Sequence, residues 1–198
     1  VATFIIVSIG FNHRVPGNLS VSKDGGSEGF VALVESSIPI LQDMNTPEGR
    51  KVLGLSKESI NVLSKMQIMP LRVRQGDEAN CLNLYQTTTP LVYGVPESMI
   101  ERGGFAFQKS IAQTQEEKNN PWRLLRRTFS DNAIPAIGDA NTVMWLLHLG
   151  LGQDLAIHNE RGQLMYLRIV GMLSESILQG GLLISEGHFQ NHWPAIRG

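Results

Sequence analysis

The hydrophobic period changes several times between positions 133 and 198. Ala133, Ile134, Ala136 and Ile137 form an apolar run ending at Gly138 and Asp139, the pattern of a short strand closed by a turn. Asp139 is placed to cap a following helix, because its carboxylate can accept a free N–H of the first turn. Val143, Leu146, Leu147 and Gly150 then recur at helical spacing, which predicts one apolar helix face stopped by glycine. Residues 149–157 predict a tight turn into a strand, and 158–162 a hairpin loop with its glycine where a positive φ costs little. Residues 164–173 predict the return strand, alternating Leu167 and Ile169 against Tyr166, Arg168 and Val170. Residues 181–185 predict a third strand, after which Ser185 caps a short helix carrying Phe189 and Trp193. Helix and hairpin faces predict that Val143, Leu146, Leu147, Leu155, Ile157, Ile169 and Leu183 are buried together.

Upstream, positions 3–10 are β-branched and apolar on both faces, which predicts a buried strand. Residues 12–29 carry Pro16, Gly17, Gly25, Gly26 and Gly29 without periodicity, and predict a mobile loop. Positions 30–35 predict a second strand. Thr46 and Pro47 set a cap and a proline at the first helical position, and Ser56 caps a second helix with Ile60 and Leu63. In 67–74, Ile68, Leu71 and Val73 share one face only if Pro70 introduces a bulge, and Pro70 points to an edge position. Residues 90–94 predict a strand, and Pro96 a helical turn closing at Gly103 and Gly104. The polar run 114–120 predicts a loop or solvated face, with 114–119 mobile. Asn120 and Pro121 open a helix with Trp122, Leu125 and Phe129 on one side and Arg123, Arg126 and Arg127 on the other. Alternating strands and short helices predict an α+β fold with antiparallel hairpins and helices on one face.

A chain of 198 residues makes one large domain or two small lobes. Its formal net charge of −1 gives no reason to expect nucleic acid or an anionic membrane as partner. The single cysteine, Cys81, excludes an intrachain disulfide. No stretch reaches the roughly 20 apolar residues that span a bilayer. The apolar start, 1–9, is too short for a span and lacks the basic region of a signal peptide. A chain running from Val1 to Arg197 and Gly198 reads as a piece of a longer one.

Candidate chemistry is sparse. Cys81 beside a histidine would make a nucleophile pair, but Asn80 and Leu82 form no recognisable nucleophile turn, and a small buried side chain is the plainer reading. His188 and His192 stand four apart on the last helix, a spacing that can hold zinc. Glu186 is close in sequence, but a full ligand set is missing, so the imidazoles are expected at the wet edge of an amphipathic helix. The glycine pairs lack phosphate-loop spacing. Asp77 and Glu78 read as a turn, and the three arginines as a solvated face or a meeting place for an acidic partner or phosphate. No catalytic, cofactor-binding or metal-ligating residue is assigned, and no cofactor.

One larger pattern stands out. Leu149, Gly150, Gly152, Asp154, Leu155 and Ile157, then Val170 and Gly171, then Ser185, Glu186 and Phe189, resemble in order and spacing the extracytoplasmic domain of FtsX-like permeases, the family that includes MacB and the lipoprotein-releasing permeases. The resemblance covers the last third of the chain, and more weakly the first strand and 76–84. Gln153 departs from it, since the family often has glycine there. It implies an α+β fold with a mixed or antiparallel sheet and short helices, with the first two strands paired. It also implies two lobes within one domain, 1–198: lobe A at 1–45 plus 131–198, and lobe B at 46–130 inserted between. Ser185 and Glu186 would then start a helix, with the carboxylate favoured by the helix dipole.

The function implied is non-catalytic. The domain would lie outside the inner membrane, on its periplasmic side, and couple ATP-driven motion of membrane helices to a substrate or partner there. Its partners would be an ABC ATPase subunit, a second permease copy or homologue, and an accessory extracytoplasmic protein. A domain inserted between two membrane helices should also have both ends on one side, about 10–30 Å apart. Two alternatives remain beside this one: a small hydrolase or metal-dependent enzyme using Cys81 or His188 and His192, and a stand-alone ligand-binding module with an apolar cleft.

Overall fold

The computed structural model describes residues 3–9, 30, 32–36, 38–76 and 90–197, with positions 3–9 and 32 described through their backbone. Thr3–Ile9 (β1) pairs antiparallel with Ala32–Ser36 (β2), as expected, and on its other side with Met66–Arg74 (β3). Leu91–Val95 (β4), Phe107–Ser110 (β5), Ile134–Asp139 (β6), Asp154–His158 (β7), Leu164–Leu173 (β8) and Gly181–Ser185 (β9) complete a nine-stranded sheet. The order is β2-β1-β3-β4-β9-β6-β8-β5, with β7 also on β8. β4 runs parallel to β9 and β6 to β8, while the other pairs are antiparallel. With short helices at Pro47–Val52 (α1), Lys57–Leu63 (α2), Glu97–Arg102 (α3), Gln115–Asn119 (α4) and Glu186–His192 (α5), this is an α+β fold on a mixed sheet. β3, β4 and β5 come from 46–130 and share the sheet with strands from 1–45 and 131–198, so ladder hydrogen bonds cross the expected lobe boundary.

The sheet separates two apolar layers. One holds Met69, Leu71, Val73, Tyr93, Val95, Val170, Leu173 and Leu183, roofed by Met99 and Ile100 of α3 and by Trp122, Leu124 and Leu125. The other holds Val92, Ile134, Ala136, Val143, Ile157, Met165, Leu167, Ile169, Leu182 and Ile184, closed by Phe189 and Trp193. Phe189 packs on Gly94 so closely that a Cβ there would stand 2.9 Å from its ring, which is why β4 carries no side chain at that point.

Three expectations about β3 and the core change here. β3 lies inside the sheet, not at its edge. Pro70 is tolerated because Ile68 gives both its N–H and its carbonyl to the Asn45 amide, on the side away from β1. By strand alternation Pro70 turns its missing N–H to that same side, and the ladder to β4 begins only at Arg72. No bulge is needed, since Met69, Leu71 and Val73 share one face while Ile68 faces the other way. The seven residues expected together also divide. Val143, Ile157 and Ile169 are buried in one layer and Leu183 in the other, while Leu147 and Leu155 are half-buried and Leu146 is 42% exposed.

Leu146 is outside because the segment after β6 winds wider than an α-helix. Thr142–Leu146 forms a π turn in which the Leu147 N–H donates to the Thr142 carbonyl at 3.0 Å. More residues per turn rotate Leu146 off the face that Val143 occupies. Asp139 does cap this segment: Oδ1 accepts from the Asn141 N–H at 3.0 Å. Its other oxygen accepts from the Ser176 N–H at 2.9 Å, so this fully buried carboxylate pins the turn to a second loop. In β8 the alternation breaks at Val170, which the register leaves as the extra residue of a bulge against β6. Beyond it, Met172 joins the layer of Leu167 and Ile169, and Leu173 the opposite one.

The remaining helices follow local signals. Thr46 and Ser56 cap α1 and α2, and Ser185 caps α5, each hydroxyl accepting a first-turn N–H. The polar run at 114–119, expected as a solvated face or loop, carries helix α4, which buries none of its residues and opens with a capping box between Thr114 and Glu117. Pro121–Arg126 is a 3-10 turn rather than an α-helix, and it still buries Trp122 and Leu125. Residues 12–29 lie outside the described residues.

The registers also show where the elements begin and end. Thr3 lies opposite Arg72, Arg72 opposite Gly94, and Gly94 opposite Ile184, while across β9 Leu182 faces Gly138. The start of β1, the end of β3, the starts of β4 and β9 and the end of β6 therefore share one end of the sheet. α5 leaves β9 at the far end and returns, so that the Arg74 guanidinium lies 5.4 Å from the Trp193 ring.

Candidate functional site

A groove of about 760 Å³ runs over β3 on the α5 face of the sheet. Residues 40–45 form one wall, the end of α5 and residues 194–197 the other, and Ile68, Pro70 and Arg72 the floor. The first wall stays in place because Asn45 substitutes for a neighbouring strand, donating to the Ile68 carbonyl and accepting its N–H, both at 2.8 Å. Asp43 in turn accepts from the Asn45 backbone N–H at 2.9 Å and from its side-chain amide at 3.0 Å.

The second wall is held by Arg72. Its Nε donates to Glu186 Oε1 at 2.7 Å, and its Nη1 to the Ile196 carbonyl at 3.3 Å. Both partners of the ion pair are partly shielded from water, and Gln190 adds a hydrogen bond to the same carboxylate oxygen at 3.0 Å. Glu186 also occupies the first turn of α5, where the helix dipole favours negative charge. One charged pair is thus set in a cleft with apolar surfaces from Ile40, Leu41 and Ile68. Such a cleft can receive an extended apolar segment carrying a polar group, and it presents no nucleophile–base pair.

His188 and His192 lie on α5, half-buried, and burial pushes both pKa values down, with the nearby His188 charge adding to the effect on His192. The fold therefore takes up protons less readily than the unfolded chain. The stability this gives is present above the ordinary value near 6.5 and declines as pH falls through it. Among the described residues no group of three or more His, Cys, Asp or Glu converges as a metal site would require. Cys81, Asp77 and Glu78 lie outside the described residues.

The three arginines form a network within the chain. Arg127 grips Glu117 through two hydrogen bonds at 2.7 and 2.6 Å, which, with the Gln113 and Thr114 backbone N–H groups, brings that carboxyl down to about 2. Arg126 pairs with Glu97 and Glu101, and Arg123 with Glu101 and Glu116. Arg168 likewise bridges Asp131 and Asp154. A surface whose cations already have carboxylate partners offers little to phosphate or an acidic partner.

The turn after β6 contrasts with this. Trp145 is 73% exposed, beside the half-exposed Leu146, while Val143 on the same turn is buried. Sequence reasoning did not single out Asn45, Arg72 or Trp145. The signal for Asn45 was Pro70, a strand proline that needs its neighbour replaced. The signal for Trp145 was its place off the apolar face set by Val143. Arg72 carried no local signal, because its partners are more than a hundred residues away.

No protein-family model, curated protein or solved structure matches the chain. No helix among the described residues is long and apolar enough to cross a membrane.

Proposed function

We propose that this chain is the non-catalytic extracytoplasmic domain of an ABC-transporter permease of the FtsX and MacB type. The observation that carries the reading is the closure at Arg72. This residue lies opposite Thr3 in the β1–β3 ladder, and its guanidinium donates to the Ile196 carbonyl. Arg72 thus stands beside the first strand through its place in the ladder and holds the segment after the last helix through its side chain, as suits a domain entered and left through the same membrane face. Motion of two membrane helices would reach the fold at this point, and the groove beside it, between residues 40–45 and α5, would be the part that opens or narrows. An ABC ATPase subunit would supply the energy, with a second permease copy beside it and an accessory extracytoplasmic protein or the transported substrate at the groove.

The test is topological. Reporters fused in the full-length gene at each end of this segment should be active outside the cytoplasmic membrane, and activity on the cytoplasmic side would overturn the reading. A second reading, a free-standing ligand-binding module, draws on the groove alone. It predicts that the isolated domain captures a ligand in the groove and that an Arg72→Ala variant that stays folded captures it less well, because Arg72 lies in the groove floor and holds its second wall.

A further inference from the structure

We infer that the groove over β3 takes an extended, uncharged peptide segment, and that the backbone of this segment completes the Arg72–Glu186 pair. The inference rests on the reading of the groove as the place where the domain meets a partner or substrate, and it names the chemistry of what enters.

The pair is half made. A side-on arginine fork offers Nε and Nη2 to the two oxygens of one carboxylate. Arg127 closes that fork on Glu117, with Nε to Oε1 at 2.7 Å and Nη2 to Oε2 at 2.6 Å. Arg168 closes it on Asp154, with both bonds at 2.7 Å. Arg72 makes only the first of the two bonds, Nε to Glu186 Oε1. Its Nη1 turns to the Ile196 carbonyl, and Gln190 donates to the oxygen already in use, Oε1. Among the described residues, Nη2 of Arg72 and Oε2 of Glu186 therefore have no hydrogen-bond partner. Of the three forks, the half-open one is the one that lines the groove.

A donor left beside an acceptor matches one residue of an extended chain, whose N–H and carbonyl point to the same side. The opposite wall already uses this match. The Asn45 amide meets both the N–H and the carbonyl of Ile68, standing in for a strand. Arg72 and Glu186 offer the same two functions to a chain lying in the groove: Nη2 donates to its carbonyl, and Oε2 accepts its N–H. The two charges also select. A free carboxylate drawn to Arg72 is repelled by Glu186, and an ammonium drawn to Glu186 is repelled by Arg72, while a neutral peptide group meets neither repulsion. Side chains alternate across an extended segment, so those turned to the floor meet Ile68 and Pro70, and those beside the first wall cover Leu41, which is 64% exposed.

The test is selection from a phage-displayed library of random short peptides on the 198-residue chain. The selected sequences are then synthesised with both ends capped and measured by fluorescence polarisation. They should be uncharged at their centre and apolar at alternate positions. N-methylation at one residue should weaken binding about tenfold, the scale of one hydrogen bond to a charged group. In the Glu186→Gln variant the same N-methylation should change little, because Arg72 Nε keeps the amide oxygen and the NH2 takes the place of the acceptor. A Glu186 that only held the wall would leave the N-methyl effect intact. Leu41→Asp, on an exposed side chain, should abolish capture while keeping the circular dichroism of the parent.

Failure to enrich any sequence would overturn the inference. So would peptides that keep full affinity for Leu41→Asp, which would place them elsewhere on the surface, or a selected set sharing one charge, which would make the groove an ion site. Peptide binding reads the groove, and the reporter fusions read the side of the membrane on which the segment lies, so failure of one is distinguishable from failure of the other.

Discussion

Trp122 sits in a short 3-10 turn and Trp145 in a short, wider π turn, and their surroundings are opposite. Trp122 points inward: its indole N–H donates to the Gly104 carbonyl, and its ring meets the edges of Phe105 and Phe107. Above it, Arg123, Arg126 and Arg127 are joined to Glu97, Glu101, Glu116 and Glu117. Trp145 has no such roof, and a buried carboxylate, Asp139, fixes its turn from below. The first region is complete within the chain, apolar groups inside and charges paired outside. The second leaves apolar surface in water while using a buried charge to hold it there.

The contrast breaks most sharply at Trp122. Trp122→Ala should cost about 3–5 kcal/mol, the usual range for emptying a buried aromatic site, read as a fall in the denaturant midpoint. Asp139→Ala should cost about 2–3 kcal/mol, because the Asn141 and Ser176 N–H groups lose a charged acceptor in a buried setting. In that variant the Trp145 turn should loosen first, seen as faster amide exchange at 140–147 than in β8.

Glu117→Gln should cost about 1 kcal/mol, through the capping box and the Arg127 pair together. It should also flatten the acid limb of the stability curve. The Glu117 carboxyl is held at about 2 against an ordinary 4.5, so its contribution is complete above pH 4.5 and is lost as pH falls toward 2. The smallest effect belongs to Trp145→Ala, within about 0.5 kcal/mol in solution, as for a surface site without partners. A loss on the scale of Trp122 would show that Trp145 packs in the fold and would erase the comparison.

How much of this was legible depended on the range over which each feature is decided. Caps at Thr46, Ser56 and Ser185, and the Asp139 cap, rest on neighbours within three residues, and each was readable. The hairpin around 158–162 was readable for the same reason, since β7 and β8 flank it directly. The place of β3 inside the sheet was not, because Asn45 relieves Pro70 from more than twenty residues away. Leu146 was misplaced because the helical period was assumed to be 3.6, while Thr142–Leu146 winds wider. The arginines were seen as a face, but their carboxylate partners on α3 and α4 come together only in the folded chain. The groove was invisible, since its walls come from 40–45 and 190–197 and meet over β3.

The most direct measurement combines both regions in one experiment on intact cells. In a Cys81→Ser background of the full-length protein, the exposed Lys118 of α4 and the exposed Trp145 are each replaced by cysteine, and a membrane-impermeant maleimide is added from outside. The account predicts rapid labelling of the Lys118→Cys variant in intact cells. It predicts equally rapid labelling of the Trp145→Cys variant, whose side chain is exposed on the same domain. Labelling of Lys118→Cys only after the cells are opened would place the domain on the cytoplasmic side and contradict the account.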